Sequence, residues 1–252
     1  MIAPGSALHG FRPFFRKELR EWWQRRMALI IFAAVGGLGI FGTLANRIDE
    51  LAGGVPAAAM LEPTANVLGA LFDQWILLAG IFASIGMLTQ ERASGTLAWT
   101  LSKPVSRVSV LLAKWTAAIA MLAVFAVALP LAVSVGVATW SYGAVPDLGS
   151  VARFGLVLLG LPAFFVALNL ALATRLSSQA AIAAIAFGVL AVPYFLGGFV
   201  PVIAEVWPTA VGAMAGAVAT GSALNGPTVA GWAIGLATVG AAGLLVFGRE
   251  DL

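Results

Sequence analysis

Residues able to carry chemistry are few in this sequence of 252 residues. His9 is its single histidine and cysteine is absent, so one chain offers no bis-histidine haem, no multi-histidine zinc site and no thiolate. The sequence has no G-x-x-x-x-G-K-[ST] run for ATP phosphates, no H-E-x-x-H zinc motif and no G-x-S-x-G nucleophile elbow. We therefore predict no catalytic residue, no cofactor and no metal in this chain.

Asp73 is the acidic residue that comes closest to lying within a long apolar stretch. A carboxylate at the centre of a membrane costs about 2.5–3.5 kcal/mol on insertion scales and usually marks a functional site. Because Asp73 lies near the start of the second apolar stretch, we favour a structural interpretation in which the positive end of a helix dipole stabilises its charge. A functional intramembrane charge stays open as the alternative.

The most informative segment is a cytoplasmic loop predicted at residues 91–107, which is charged and longer than a minimal turn. It includes the runs ERASGTL (91–97) and LSKPVSR (101–107), and Lys114 follows seven residues after Arg107. Gly95 can break a helix, and a proline such as Pro104 disfavours helical geometry in the residue before it. We expect residues 96–103 to form one or two helical turns along the membrane surface. The alternative is an ordinary polar loop whose cations only determine topology.

The elements that must position these residues are membrane spans. The chain is 61% hydrophobic and 10% charged, whereas soluble domains carry roughly 25% charged residues. A span needs about 20 apolar residues. Suitable windows are residues 27–46, 74–90 (extended upstream by 67–72), 115–146, 154–174, 176–204 and, within the interrupted stretch 206–248, about 228–247. These windows predict an all-α polytopic membrane protein with six transmembrane helices.

The distribution of basic residues predicts the orientation. If the N-terminus is cytoplasmic, 12 of the 14 lysine and arginine residues lie in inner segments, and Arg47 and Arg153 lie outside. Such an asymmetry follows the positive-inside rule, so we predict a multi-pass protein of the plasma (inner) membrane with both termini cytoplasmic. It also accounts for the net charge of +3 without nucleic acid as a partner.

An amphipathic helix is predicted at residues 8–26, before the first span. Its aromatic and leucine residues recur at spacings of three and four, with arginine and lysine at the other positions. An apolar face beneath a basic face is typical of a helix lying in the membrane interface, in contact with lipid. A basic flank that only orients the first span is the simpler alternative.

The loop resembles that of the ABC-2 type (type V) permeases, the membrane subunits of ATP-binding cassette transporters, and especially the nitrous-oxide-reductase maturation permease group. The pattern consists of an acidic residue, Gly-Thr-Leu, Pro-x-x-Arg and a lysine. Those elements are present here as Glu91, Gly95, Thr96, Leu97, Pro104, Arg107 and Lys114. The last six residues, FGREDL, resemble the ending common in these permeases.

The resemblance implies a single permease domain over residues 1–252, with an outer re-entrant region at 201–227 between helices five and six. It implies export of a substrate driven by separate ATPase subunits, which bind ATP and magnesium, and assembly as a homodimer or with a homologous permease. Residues 91–107 would be the ATPase-coupling loop and the N-terminal helix a second contact. Glu91 and Arg92 would pair with the ATPase, while Gly95 and Pro104 would shape the loop.

Three other functions remain open from the sequence. A stand-alone secondary carrier or channel would need ionisable residues inside the bundle, and Asp73 alone comes near that requirement. A lipid-modifying enzyme would need an acid–base constellation that is not recognisable in the sequence. A structural scaffold would keep its function after mutation of the whole loop. The sequence does not identify the substrate.

Overall fold

The computed structural model describes residues 8–24, 26–53, 61–103, 105–143 and 145–249, so Pro104 of the predicted coupling loop lies outside the described residues. Regular structure in these ranges is helical throughout, which confirms the predicted all-α class. The elements in chain order are α1 (Phe11–Gln24), α2 (Met27–Gly53), α3 (Leu61–Ser84), α4 (Thr89–Ala93), α5 (Thr96–Leu101), α6 (Arg107–Leu122), a π-helical segment (Ala123–Ala128), α7 (Leu129–Tyr142), α8 (Leu148–Leu158), α9 (Gly160–Ala173), α10 (Gln179–Leu196), α11 (Pro201–Val206), α12 (Ala210–Ala219) and α13 (Gly226–Gly248).

Six spans are confirmed among the described residues by helix length and apolar composition. They are Met27–Ala45, Phe72–Ala93, Arg107–Tyr142, Leu148–Ala173, Gln179–Leu196 and Gly226–Gly248. Each overlaps one predicted window, because a run of apolar side chains long enough to cross roughly 30 Å of hydrocarbon is a local property of the sequence.

The third span begins eight residues earlier than the predicted window 115–146. Its 36 residues correspond to about 54 Å of helix, well beyond the roughly 30 Å of the hydrocarbon core. The window was cut at Lys114 because of its charge, yet this lysine lies inside α6 and is 1% exposed. The π-helical segment ends two residues before Pro130, whose missing N–H interrupts regular α-helical hydrogen bonding.

The segment between the fifth and sixth spans forms two short helices. The fifth helix ends at Leu196, and α11 and α12 follow before α13 begins at Gly226. The predicted fifth window, 176–204, was therefore too long, since Pro201 starts a separate helix. The re-entrant placement of residues 201–227 in a membrane stays a prediction.

The bundle is built around α9, whose residues are almost all buried. Helices α3, α6 and α13 pack on it, while α1 packs along α6 and α2 along α7. Asn169 of α9 donates to the Ile81 carbonyl at 3.0 Å and to Ser84 Oγ at 2.9 Å, so a buried amide connects α9 to α3. In a membrane the surrounding lipid provides no hydrophobic driving force for helix association. Interhelical hydrogen bonds from side-chain amides therefore help to orient the helices.

Helix α1, the end of α13 and residues 91–107 lie at the same end of the bundle, which we call the loop end. Lys17 of α1 bonds Glu91, and Arg107 bonds the carbonyl of Phe247 at the end of α13. This arrangement is the one expected for an even number of spans. Which side of a membrane the loop end faces stays a prediction.

Candidate functional site

Residues 91–103 lie at the loop end and contain the end of α4, a tight turn and the short helix α5. Helix α4 stops at Ala93, and Gly95 then adopts a left-handed conformation with φ of 73° before α5 begins at Thr96. Glycine adopts such a φ without the steric cost that a Cβ imposes. Leu97 and Thr100 on one face of α5 are buried. The six residues of α5 lie within the stretch 96–103 where one or two helical turns were predicted.

Glu91 joins three elements through its two carboxylate oxygens. Oε1 accepts from Lys17 Nζ of α1 at 2.9 Å, and Oε2 lies 2.9 Å from Lys114 Nζ of α6. Glu91 is 12% exposed, so both contacts are largely shielded from water. The acidic residue of the loop motif and its distant lysine, Lys114, therefore form one ion pair in the folded chain.

Lys114 also pairs with Glu18 of α1, at 2.8 Å and with the two side chains only 1% and 3% exposed. Removing one partner of such a buried pair typically costs about 3–5 kcal/mol, because the remaining charge stays desolvated. Glu18, Glu21 and Glu91 bring their carboxylates close enough together to suggest a cation site. The ammonium groups of Lys17 and Lys114 already lie among them, so the arrangement is a salt-bridge network, which we call the loop-end ion network.

Lys17 occupies the outer side of this network and is 36% exposed. Burial by itself lowers the pKa of Lys17, but its hydrogen bond and attraction to Glu91, with smaller contributions from Glu18 and Glu21, raise that pKa above the ordinary value. A raised lysine pKa gives stability that is present below the unfolded-state pKa and is lost only as pH rises through the folded-state value. Lys17 is therefore charged throughout the physiological range.

Two arginines of the loop bind carbonyls at the ends of spans. Arg92 Nη2 donates to the Thr174 carbonyl at 3.0 Å, where α9 ends. Arg107 Nη1 donates to the carbonyls of Phe247 and Gly248 at 3.0 and 3.4 Å, where α13 ends. Helix C-termini carry partial negative charge and unpaired carbonyls, so cationic side chains stabilise them.

The start of α1 contacts the other end of the loop. The Ser106 N–H donates to the His9 carbonyl at 3.2 Å, and Gly10 lies so close to Val105 that a Cβ at Gly10 would come within 2.7 Å of it. With the Lys17–Glu91 bond, α1 contacts the loop on both sides of α5. The loop is thus connected to α1, α6, α9 and α13.

The face of α5 that points away from the bundle is exposed. Trp99 is 64% exposed, and the ammonium of Lys103 lies 3.5 Å from the centre of its ring. A lysine stacked on an indole makes a cation–π contact that holds both side chains in place. Ala98 and Ser102 are exposed beside them. We call this surface the α5 outer face. It offers one aromatic ring and one positive charge to a partner.

The aromatic residues of α1 largely face the protein. Trp22 is buried, Phe14 and Leu19 pack against the hydrophobic core, and Phe11 stacks on Phe15. The basic face is exposed, and it presents Arg12, Arg16 and Arg20 at intervals of four residues. The predicted amphipathic helix is therefore present over Phe11–Gln24, and its location in a membrane interface stays a prediction.

Asp73 lies far from the loop end and within α3. The helix begins at Leu61, twelve residues earlier, so the interpretation of Asp73 as a charge at the start of its own helix was wrong. Its carboxylate instead touches Gly212 in the first turn of α12, so closely that a Cβ at Gly212 would overlap it. Asp73 Oδ1 is buried and has no hydrogen-bond partner among the described residues. The carboxylate does face the positive end of a helix dipole, but that of α12.

Glu18 was not predicted from the sequence, although a signal for it was present. It lies four residues from both Phe14 and Trp22, within the apolar stripe of α1. An acidic residue in such a stripe indicates a buried cationic partner, because an unpaired carboxylate is costly to bury. Asn169 has a similar signal, since it is the polar residue in the apolar run of α9.

An all-helical bundle with six apolar spans and a small paired-charge element at one end is the architecture of a polytopic membrane protein. Residues 15–215 match the family described as "ABC-2 family transporter protein". The match covers well over half of the chain, so the chain belongs to this family and is a membrane permease of an ABC transporter. No curated protein gives a significant match. Membership confirms the family resemblance seen at residues 91–114 and implies pairing with an ABC ATPase subunit.

Proposed function

We propose that this chain is the membrane-spanning subunit of an ABC exporter, in which a separate ATPase binds the loop end and drives a substrate across the plasma membrane. The observation that carries the proposal is the loop-end ion network, through which the element carrying Glu91 is joined to α1 and α6. A surface loop that served only as a connection would not require buried ion pairs, because burying charges is costly.

The α5 outer face is the contact for the ATPase in this proposal. Trp99 and Lys103 are exposed there and belong to the loop. Aromatic residues are enriched at protein interfaces, and an ammonium group adds attraction to an acidic partner. Glu91 and Arg92 were predicted to contact the ATPase themselves. Since Glu91 binds Lys17 and Lys114 and Arg92 binds Thr174, we assign them the role of attaching the loop to the bundle.

Movement of α5 would reach the spans through these attachments. A displacement caused by closure of the ATPase subunits on ATP would pass to α1 and α6 through Glu91 and to the end of α9 through Arg92. It would pass to the end of α13 through Arg107. Such a displacement changes the access state only if the two states differ in their interaction with the ATPase. The attachments define a rigid unit that responds as one body.

The remaining features of the proposal follow from the family. ATP and magnesium belong to the ATPase subunit, and two permease chains, identical or homologous, would surround the translocation path. We place the loop end and both termini in the cytoplasm, as the basic residues predict. Among ABC-2 permeases, the loop is similar to that of the nitrous-oxide-reductase maturation group, which makes a role in metalloenzyme maturation our first candidate for the physiological process.

Co-purification with the ATPase encoded beside this gene tests the proposal. Trp99→Ala and Lys103→Ala should reduce the amount of ATPase retained by the tagged permease and the permease-stimulated ATP hydrolysis, by about tenfold for Trp99, the effect of losing an interface anchor of 1–2 kcal/mol. Trp140→Ala is the matched control, because Trp140 is also exposed but lies on α7 near its end. Equal retention by all three variants would place the contact elsewhere.

Transport in liposomes provides the second arm. The permease with its ATPase and ATP should move substrate, and the permease alone should not. Transport by the purified chain without an ATPase would contradict the proposal in favour of a stand-alone carrier. Full transport after Trp99→Ala and Arg107→Ala together would show that the loop has no coupling role.

A further inference from the structure

An apolar groove runs between α6 and α13, with α9 as its floor. Two cavities of about 170 Å³ and 310 Å³ lie along it. The smaller cavity is lined by α6, α9 and α13, and the larger one by these helices together with α8 and α12. On the three shared helices the two linings are one helical turn apart, so the cavities follow one another along the bundle. The residue pairs that show this are Trp115 and Ile119 on α6, Ala167 and Ala163 on α9, and Leu236 and Trp232 on α13.

The groove offers only hydrocarbon to an occupant. Its two indole N–H groups are both bonded to carbonyls of the protein, Trp115 to Ala163 at 2.9 Å and Trp232 to Gly160 at 2.8 Å. The other lining residues are aliphatic residues, glycines and the thioether Met214. A polar ligand would lose its hydrogen bonds with water and find no replacement here, so the chemistry of the lining selects an alkyl chain.

The dimensions of the groove suit an extended chain. On α13 the lining extends from Val229 to Leu244, a distance of about 22 Å along the helix. This length exceeds the roughly 15 Å of hydrocarbon in one leaflet. Helices α6 and α13 both pack on α9 and are joined at the loop end by Arg107. The gap between them is therefore narrower there than the diameter of a helix, about 10 Å, so another helix would not fit.

Positive charge lies at the loop end of the groove. Arg107 is one turn before the lining residue Leu111 on α6, and its guanidinium closes the groove by binding the last carbonyls of α13. Arg249 follows directly after α13 and is exposed. Two guanidinium groups beside the end of a hydrocarbon groove are complementary to an anionic phospholipid headgroup.

We infer that this groove is a binding site for an anionic phospholipid of the surrounding bilayer, with an acyl chain between α6 and α13 and its headgroup beside Arg107 and Arg249. The lipid would fill a groove that the chain itself leaves open. It would also connect α6 to α13, the two helices that Arg107 joins at the loop end. The inference stands on the groove and its charges, and it does not depend on ATPase coupling.

Native mass spectrometry of the full-length chain tests the inference. The protein is taken from nanodiscs that contain equal amounts of phosphatidylglycerol and phosphatidylcholine, and bound lipids are counted. We expect one tightly retained phosphatidylglycerol for each chain. Gly240→Phe should abolish its retention, because Gly240 lines the groove and has open space where a side chain would project. Gly188→Phe on α10 is the control, since Gly188 also has open space but lies outside the groove.

The headgroup site has its own variant, Arg249→Gln. It should reduce the preference for phosphatidylglycerol over phosphatidylcholine about fivefold, the factor expected for one basic residue beside an anionic lipid, while an acyl chain is still retained. Arg107→Gln should act in the same direction. Equal retention by wild type and Gly240→Phe would overturn the inference. So would loss of a dimer peak in Gly240→Phe without any loss of lipid, which would show that a second copy occupies the groove.

Discussion

The two ends of this bundle are held together by different kinds of contact. At the loop end, buried ion pairs and arginine–carbonyl bonds join the short helices to the spans. At the other end, α12 packs through glycine, alanine, valine and methionine, and the Asp73 carboxylate that touches it has a buried oxygen without a hydrogen bond among the described residues. Charge-assisted hydrogen bonds restrain the geometry of the groups they join, whereas apolar contacts between helices depend on close approach alone.

This difference indicates which end transmits movement and which end can rearrange. A segment attached through several charged bonds moves as a unit, so the loop end suits the transfer of force from a partner. Helix α12 is attached mainly by packing, so changing its position breaks few strong bonds. Helix α11 has polar attachments, since Glu205 accepts hydrogen bonds from Asn225 at 3.1 Å and from Thr228 at 2.9 Å at the start of α13. We therefore expect substitutions at the loop end to affect coupling and those at the other end to affect access to the translocation path.

Lys114→Ala should have the largest effect on stability. It leaves Glu18 buried with its nearest cation removed and should lower the free energy of unfolding by about 3–5 kcal/mol, or the melting temperature in detergent by roughly 10 °C. Lys103→Ala is the matched control, because Lys103 is exposed and its ammonium lies over the Trp99 ring. The measurement is thermal unfolding followed by tryptophan fluorescence.

The double variant Glu18→Gln/Lys114→Met distinguishes the effect of an uncompensated buried charge from the effect of lost packing. It removes one charge of each sign from the loop-end ion network, so most of the lost stability should return even though the ion pair is absent. If the double variant has the same melting temperature as Lys114→Ala, packing rather than uncompensated charge explains the loss of stability. A melting temperature unchanged by Lys114→Ala would show that the network is solvated.

Gly212→Ala tests the small-residue contact at the other end. A Cβ at this position overlaps the Asp73 carboxylate, so either α12 or the Asp73 side chain must shift, at a cost of about 1–3 kcal/mol. Gly216→Ala in the same helix meets nothing within 4 Å and should be neutral or stabilise the protein by up to about 1 kcal/mol through helix propensity. The melting temperature should therefore fall in Gly212→Ala and stay equal or rise in Gly216→Ala. Equal changes would show that α12 does not lie on α3.

The spans and the composition of the loop could be predicted from sequence, but its attachments could not. Hydropathy and the run ERASGTL are local, so six helices and the Gly95 break follow from residues that are adjacent in the chain. The burial of Lys114 depends on Glu18, which is 96 positions away. Its charge therefore suggested a helix boundary, when the residue in fact lies within α6.

The interpretation of Asp73 failed for a related reason. The helix start was inferred from the apolar window, whereas α3 extends upstream through more polar residues to Leu61. The contact with Gly212 joins positions far apart in the chain, and the small-residue spacing of α12 is common in a chain this rich in alanine and glycine. Nothing local distinguishes Gly212, which must be glycine for this contact, from Gly216, which need not be.

Arg107→Ala should have a smaller effect than Lys114→Ala. It removes the bonds to the last carbonyls of α13, but this half-buried end retains access to water, so the loss should be about 1 kcal/mol. ATPase stimulation should fall much more than stability, because the attachment of the loop to α13 is lost. Arg153→Ala, at an exposed arginine on α8, is the control. A parallel loss of stability and stimulation would indicate a purely structural role.

Asp73→Asn should have the smallest effect on stability and separates the two interpretations of this residue. The amide has almost the shape of the carboxylate, so the contact with Gly212 is kept while the charge is removed. If Asp73 only packs against α12, both the melting temperature and coupled transport should stay within error of wild type. If the charge is functional, transport should fall at unchanged stability. Because the carboxylate touches the first turn of a helix attached mainly by packing, we expect the first result. A transport defect at unchanged stability would show that the charge of Asp73 is functional.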